Sequence, residues 1–233
     1  MAFAWRDLRS ILAGSVFGQD CVLCAAPSGE RLLCAGCAAD LPRLADACPR
    51  CGGPSPGGSA CGACTAHPPQ FDATLAPWRY EFPVDRLVLA LKFGRRLALA
   101  EAFGAALADC AAGRRVDALV PMPLGPARLA VRGFNQALEI ARHLARRAGL
   151  AIEPGLARRV RETAPQTDLP HDARAANVRG AFDCDAGVSG RTLAVVDDVM
   201  TTGASLEELA RTLKRAGAAR VENWVVARTW PRA

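Results

Sequence analysis

The run Leu193-Ala-Val-Val-Asp-Asp-Val-Met-Thr-Thr-Gly-Ala-Ser205 decides the fold. Its apolar opening, Thr192–Val196, reads as a buried strand that ends in two adjacent carboxylates, Asp197 and Asp198. A turn of small residues follows, and a helix opens near Gly203 and runs over Ser205–Ala216. Where a strand passes so quickly into a helix, backbone N–H groups and the positive helix end converge on one anion site. Thr201, Thr202 and Ser205 add hydroxyl donors around Ala204, and Gly203 lets a phosphate approach the backbone. Two carboxylates beside a phosphate cradle repel it unless they hold something else, and sugar hydroxyls or a Mg²⁺ ion are the natural occupants. A capped strand–turn–helix with two solvated aspartates is the plainer reading. It is the weaker one, because capping alone does not call for a buried strand ending in Asp-Asp.

Working outward, the same alternation of strand and helix recurs from Thr74 onward. Thr74–Tyr80 reads as a strand, Val84–Phe93 and Leu97–Ala112 as helices, and Val116–Met122 as a short buried strand closed by Pro121 and Pro123. Phe134–Ala148 has apolar residues at helical spacing, Ala151–Val160 is a weaker strand, and Val221–Ala227 closes the chain as a strand. Arg161–Asn177 is polar, contains Pro165 and Pro170, and reads as a long loop. This pattern predicts an α/β fold with a mostly parallel sheet covered on both faces.

Before Thr74 the chain is of another kind. Cys21-x2-Cys24-x9-Cys34-x2-Cys37 is repeated as Cys48-x2-Cys51-x9-Cys61-x2-Cys64, a small four-cysteine unit used twice. Each C-x2-C pair places two thiolates on one knuckle, and two knuckles complete a tetrahedral zinc shell. Sequential pairing within each repeat is the simplest arrangement, and a crossed one is also allowed. A stretch this poor in large apolar side chains buries little surface, whereas structural zinc contributes on the order of 10–16 kcal/mol per site in finger peptides. Four thiolates leave no open position, so two structural rather than catalytic Zn²⁺ ions are expected. His67 reads as a linker residue, and Cys110 and Cys184 as packed thiols. The expected organisation is therefore an N-terminal helix over residues 1–18, a double zinc ribbon over 19–66, a Pro-containing linker at Ala66–Gln70, and an α/β domain over 71–233.

Composition bounds the function. The chain has 233 residues, a 51% hydrophobic and 22% charged composition, and a net charge of +6. The first 70 residues balance, so the whole positive excess falls on the C-terminal part, which suits a polyanionic partner or a solvated Arg-rich surface. Lysine is nearly absent, with only Lys92 and Lys214. No segment approaches the roughly 20 apolar residues of a membrane span, and no signal-peptide cleavage pattern precedes the first cysteine. Ten cysteines without a secretory signal point to a reducing, cytoplasmic setting and away from a disulfide framework.

Asp197-Asp198 followed by Thr201-Thr202-Gly203 closely resembles the phosphoribosyl-pyrophosphate motif of type I phosphoribosyltransferases. The resemblance implies that the catalytic pair Asp197 and Asp198 binds the ribose 2′- and 3′-hydroxyls, while Thr201, Thr202, Gly203, Ala204 and Ser205 wrap the 5-phosphate. Val120-Pro-Met-Pro-Leu124, Arg128 and Arg132-Gly-Phe-Asn-Gln136 are similar to a first block of the ComF competence-protein family. Arg161, Thr163, Gln166, Leu169, Arg174 and Asn177-Val-Arg-Gly-Ala-Phe182 are similar to its second block, and to the mobile loop of amidophosphoribosyltransferases. Paired C-x2-C knuckles ahead of such a domain and Lys92-Phe93-Gly94 extend the resemblance over nearly the whole chain. It implies a type I phosphoribosyltransferase fold binding phosphoribosyl pyrophosphate with Mg²⁺. Arg128 and Arg132 would lie in the pyrophosphate loop, Pro123–Arg132, with Gln166 and Arg174 on a closing loop. Asn135 and Gln136 serve either that loop or simply the start of the next helix. Two function classes follow: phosphoribosyl transfer to an unidentified acceptor, or a DNA-handling role in natural transformation with single-stranded DNA and competence proteins as partners. No glutaminase segment accompanies the domain, so glutamine-dependent amide transfer is not expected.

Overall fold

The computed structural model describes residues 18–161 and 173–230. Two compact units divide the chain, Met1–Leu41 and Pro42–Ala233. The second cysteine repeat therefore shares a unit with the α/β body, whereas the Pro-containing stretch Ala66–Gln70 lies inside that unit. Of the expected N-terminal helix, residues 1–17 lie outside the described residues.

The first unit pairs β1 (Gln19–Asp20) antiparallel with β2 (Pro27–Gly29) and adds a short helix α1 (Ala35–Ala39). Ser28 holds the hairpin by donating to the Gln19 carbonyl at 2.9 Å. In the second unit, α2 (Gly62–Ala66) closes the second cysteine repeat. A parallel sheet follows, built from β3 (Ala73–Leu75), β4 (Trp78–Arg79), β5 (Ala118–Pro121), β8 (Thr192–Met200) and β9 (Arg220–Arg228). Its order is β3-β9-β8-β5, with β4 continuing the β3 edge of β9, and every pairing is parallel. The remaining pair, β6 (Ala157–Arg159) and β7 (Phe182–Cys184), is antiparallel and separate from the main sheet.

Helices connect these strands. They are α3 (Val84–Lys92), α4 (Ala98–Cys110), α5 (Pro126–Arg132), α6 (Gln136–Ala148), α7 (Ala173–Val178) and α8 (Ala204–Arg215). Helix α3 buries Val84, Leu87, Val88 and Leu91, a helical stripe with Asp85 in its first turn and Lys92 in its last, both favourable to the helix dipole. Helix α8 buries Leu206, Leu209, Ala210 and Leu213 against β8 and β9 side chains including Leu193, Val195, Val221 and Val225. Trp224 lies fully buried in β9, its indole N–H donating to Glu222 at 3.0 Å, so its one polar side-chain atom is paired. Among the described residues no helix is long and apolar enough to cross a membrane.

Three local differences from the sequence reading have physical causes. The strand expected to stop at Val196 continues to Met200, because Val199 and Met200 still pair with Ala227 and Arg228 of β9. The expected loop Pro123–Arg132 is mostly helix α5: Pro126 suits its first turn, and Gly133, left-handed at φ 81°, ends it. Asn135 caps α6 by accepting from the Ala137 and Leu138 N–H groups, and its amide donates to the Met122 carbonyl at 3.1 Å, so it and Gln136 do start that helix.

Candidate functional site

The eight knuckle cysteines form two sets, Cys21, Cys24, Cys34 and Cys37, then Cys48, Cys51, Cys61 and Cys64. Within each set the sulfurs all lie within 4.8 Å of one another, so pairing is sequential and the crossed arrangement drops out. Sulfurs about 2.3 Å from a tetrahedral zinc stand roughly 3.8 Å apart. Cys24 and Cys34 are 3.7 Å apart, and Cys51 and Cys61 are 3.8 Å apart, so the residues fit the metal. Backbone N–H groups support the sulfurs, with Cys61 donating to Cys48 at 3.3 Å and Gly53 to Cys51 at 3.4 Å. Burial raises the Cys48 thiol, yet N–H donors from Cys51, Cys61 and Arg50 outweigh it and bring it down to about 6. Burial and the neighbouring Cys51 and Cys61 thiols push Cys64 up. A divalent cation at the centre overrides that competition by favouring thiolate at all four. His67 joins neither set; it caps α2 through its own N–H. Cys110 stands exposed at the end of α4 and is not the packed thiol expected, whereas Cys184 is part-buried with its thiol 3.7 Å from the Thr212 carbonyl.

The second centre lies at the carboxyl end of β8, at the edge of a parallel sheet where α/β folds place their ligands. Asp198 has a side chain only 4% exposed, and the Lys92 ammonium at the end of α3 stands 2.8 Å from its Oδ2. Its Oδ1 accepts from the Val199 N–H at 2.7 Å, and Asp197 Oδ1 accepts from the Asp198 N–H at 2.8 Å. Burial and the adjacent Asp198 charge push Asp197 up to about 7, only partly opposed by Lys92. For Lys92 burial works against the ammonium, but the carboxylates of Asp198 and Asp197 outweigh it and raise the lysine. The pair is therefore divided in role. Asp198 is neutralised by a fixed cation, while Asp197 is left to exchange a proton near neutral pH.

Thr201, Thr202 and Gly203 turn the chain from β8 into α8. Gly203 has φ 84°, a conformation that opposes a side chain, and a Cβ there would also lie 2.7 Å from Met200 Cε. The Thr202 hydroxyl accepts from the Ala204 N–H at 3.3 Å, and Ser205 stands in the first turn of α8. On the other side, Arg132 at the end of α5 donates to Gln136 and lies over the Phe93 ring at 5.4 Å. Burial lowers its guanidinium against the pull of Asp198 and Asp197, with Arg128 close enough to repel it. Lys92, Arg128, Arg132, Asp197 and Asp198 thus share one electrostatic environment.

Gln166, Thr163 and Leu169 lie outside the described residues, and Arg174 is placed only as a backbone position in α7. Arg161 sits at the base of that segment, donating to the carbonyls of Asn177 at 3.0 Å and Arg179 at 2.5 Å. The Gly180 N–H donates to Glu208 of α8 at 2.8 Å.

Two site residues escaped the sequence reading. Lys92 enters the sequence reading only as one of two lysines and within its tripeptide, although a lysine in a chain so dominated by arginine is itself a signal. A compact ammonium fits beside one buried carboxylate oxygen where a guanidinium fork does not. Arg228 gave no sequence signal at all. Its partners, 27 and 177 residues away, come together only through the fold.

Comparison with known proteins places these features in a family. The DNA utilization protein YhgH of Salmonella typhimurium is 36% identical over 205 residues, covering 84% of this chain and 90% of the relative. Competence protein F of Haemophilus influenzae is 29% identical over 178 residues, covering 72% of this chain and 78% of that protein. This chain belongs to the YhgH and competence protein F family. Like the family it resembled in sequence, this YhgH-type chain opens on a double zinc ribbon domain, matched at residues 12–65. Among solved structures, a glutamine phosphoribosylpyrophosphate amidotransferase from B. subtilis is similar at 21% identity and a TM-score of 0.38, over 53% of this chain and 25% of that one.

Proposed function

We propose that the carboxyl end of β8 binds phosphoribosyl pyrophosphate together with Mg²⁺. The observation behind this reading is the acidic pair running straight into a left-handed turn and a helix N-terminus, with lysine and arginine facing the pair. Asp197 and Asp198 take the ribose 2′- and 3′-hydroxyls, and Thr201, Thr202, Gly203, Ala204 and Ser205 take the 5-phosphate through N–H and hydroxyl donors. Arg128 and Arg132 meet the pyrophosphate, joined by Gln166 and Arg174. Mg²⁺, when bound, neutralises departing pyrophosphate charge.

The same arrangement supports phosphoribosyl transfer. The bond between C1′ and the pyrophosphate oxygen breaks with its electron pair leaving on pyrophosphate, and a nucleophile lone pair forms the new bond to C1′. The protein's share is to hold the ribose by its hydroxyls and to stabilise the leaving charge. The nucleophile is an unidentified base or amine. A second reading is a DNA-handling role, favoured by the relatives' names, a DNA utilization protein and a competence protein, and by the positive excess confined to residues 71–233. Eight thiolate ligands suit the reducing cytoplasm.

Calorimetry with Mg²⁺ and phosphoribosyl pyrophosphate tests the site. Asp197→Asn and Asp198→Asn should each weaken binding about tenfold or more, as expected when a charged acceptor is lost. Unchanged affinity in the double substitution would remove the site. A pyrophosphate-release assay over a panel of bases, beside a salt-dependent single-stranded DNA binding curve, separates the two readings.

A further inference from the structure

The first knuckle of the second cysteine repeat, around Cys48 and Cys51, is bonded into the α/β body through its carbonyl groups. The Pro49 carbonyl accepts from the Thr74 N–H at 3.0 Å, the Cys51 carbonyl from Arg228 Nε at 2.8 Å, and the Gly52 carbonyl from the Trp230 indole at 2.8 Å. On the metal side, the Gly53 N–H donates to the Cys51 sulfur at 3.4 Å and the Cys61 N–H to the Cys48 sulfur at 3.3 Å, while the Gly52 N–H closes the knuckle turn on the Cys48 carbonyl at 2.8 Å. A metal drawn between the sulfurs therefore fixes the Cys48–Gly53 turn from its sulfur side, and the body fixes its carbonyls from the other.

Arg228 joins this knuckle to the proposed phosphate loop. While Nε holds the Cys51 carbonyl, Nη1 donates to the carbonyls of Met200 at 3.1 Å and Thr229 at 2.7 Å, and also to the Thr201 carbonyl. Met200 is held again by the Thr229 N–H at 3.0 Å. A part-buried guanidinium among carbonyl acceptors gives strong, directional bonds, and no other side chain has this fork. With the carbonyls of Met200 and Thr201 turned toward Arg228, the two peptides entering the turn before Gly203 have a set orientation.

We propose that Arg228 is a positioning residue for the phosphate loop, and that metal at Cys48, Cys51, Cys61 and Cys64 sets that loop through it. This rests on the reading of residues 201–205 as a phosphate site. Occupancy of the second zinc centre then governs ligand affinity, and oxidation or loss of zinc there loosens the loop without touching a ligand-binding side chain.

Hydrogen exchange on the full zinc-loaded chain, with no ligand added, tests the coupling directly. Arg228→Gln should keep two zinc ions yet speed exchange at the Thr201–Ala204 amides about tenfold or more, the scale of a lost charged hydrogen bond, and Arg228→Lys should recover part of it. Cys61→Ser, which leaves residues 48–53 and Arg228 unaltered, should lose one zinc and speed the same amides. Loop exchange unchanged in Arg228→Gln overturns the proposal, as does acceleration spread equally over β9 and α8. Unchanged exchange in Cys61→Ser after the second zinc has gone overturns the metal's part in it. Affinity for Mg²⁺-phosphoribosyl pyrophosphate, measured in parallel, should fall as loop exchange speeds up. Absence of binding in the unaltered chain would sink the phosphate reading alone, and the exchange data would still decide the role of Arg228.

Discussion

Replacing Lys92 with Met removes the cation beside Asp198 while keeping most of the apolar stem. The carboxylate then lies in a site where its side chain is 4% exposed, with one oxygen stripped of a partner that stood at 2.8 Å. Removing one member of a buried pair costs about 3–5 kcal/mol. An independent bound comes from protonation. The stranded aspartate can bind a proton, and doing so at pH 7, about three pH units above the ordinary aspartate range, costs about 4 kcal/mol at 1.36 kcal/mol per unit. The two figures agree, so Lys92→Met should destabilise the ligand-free α/β unit by about 3–4 kcal/mol at pH 7. The variant's folded state holds a proton that its unfolded state releases, so its stability relative to the parent should recover as pH falls. At pH 5 the deficit should shrink to about 1.5 kcal/mol, because protonation is then only about one unit uphill. Urea unfolding followed by tryptophan fluorescence, with buried Trp224 as the reporter of this unit, measures both values. A deficit below about 1 kcal/mol at pH 7, or one that does not change between pH 7 and 5, would refute the pairing argument.

Two further outcomes follow from the metal sets and from Asp197. Freshly purified protein should contain two zinc ions per chain by elemental analysis, and a metal-free preparation that keeps its ribbon fold would contradict the structural role of the cysteines. Because Asp197 is pushed up to about 7, it holds its proton below that pH and must release it to accept sugar hydroxyls. Affinity for Mg²⁺-phosphoribosyl pyrophosphate should therefore rise as pH increases from 6 to about 8, and this component should vanish in Asp197→Asn; calorimetry showing the same pH profile in both proteins would contradict it.

What the sequence revealed was mostly local. The helices α3, α4, α6 and α8 were legible because their apolar residues recur at helical spacing, and the strand–turn–helix at β8 because the small residues sit where a left-handed turn needs them. The cysteine pairing was ambiguous for a physical reason: two repeats of identical spacing satisfy sequential and crossed ligand sets equally, and only the folded knuckle distances choose. Helix α5 was missed because seven residues offer too little periodicity, although Pro126 and Gly133 bracketed it. Lys92 and Arg228 were illegible as partners because ion pairs and carbonyl clamps between distant segments leave no periodic trace. The Ala66–Gln70 linker was read from local composition, which does not report that carbonyls of the preceding knuckle find donors in Thr74, Arg228 and Trp230.

Those three donors decide where the polypeptide can be cut. Severing the chain in the Pro68-Pro69 stretch and discarding what precedes it would strip acceptors from the Thr74 amide, the Arg228 guanidinium and the Trp230 indole together. A cut before Pro42 removes none of them. The two cysteine repeats are thus unequal under truncation despite their equal spacing. The first ends where one compact unit ends, and the second is as much a part of the sheet's carboxyl edge as the strands themselves.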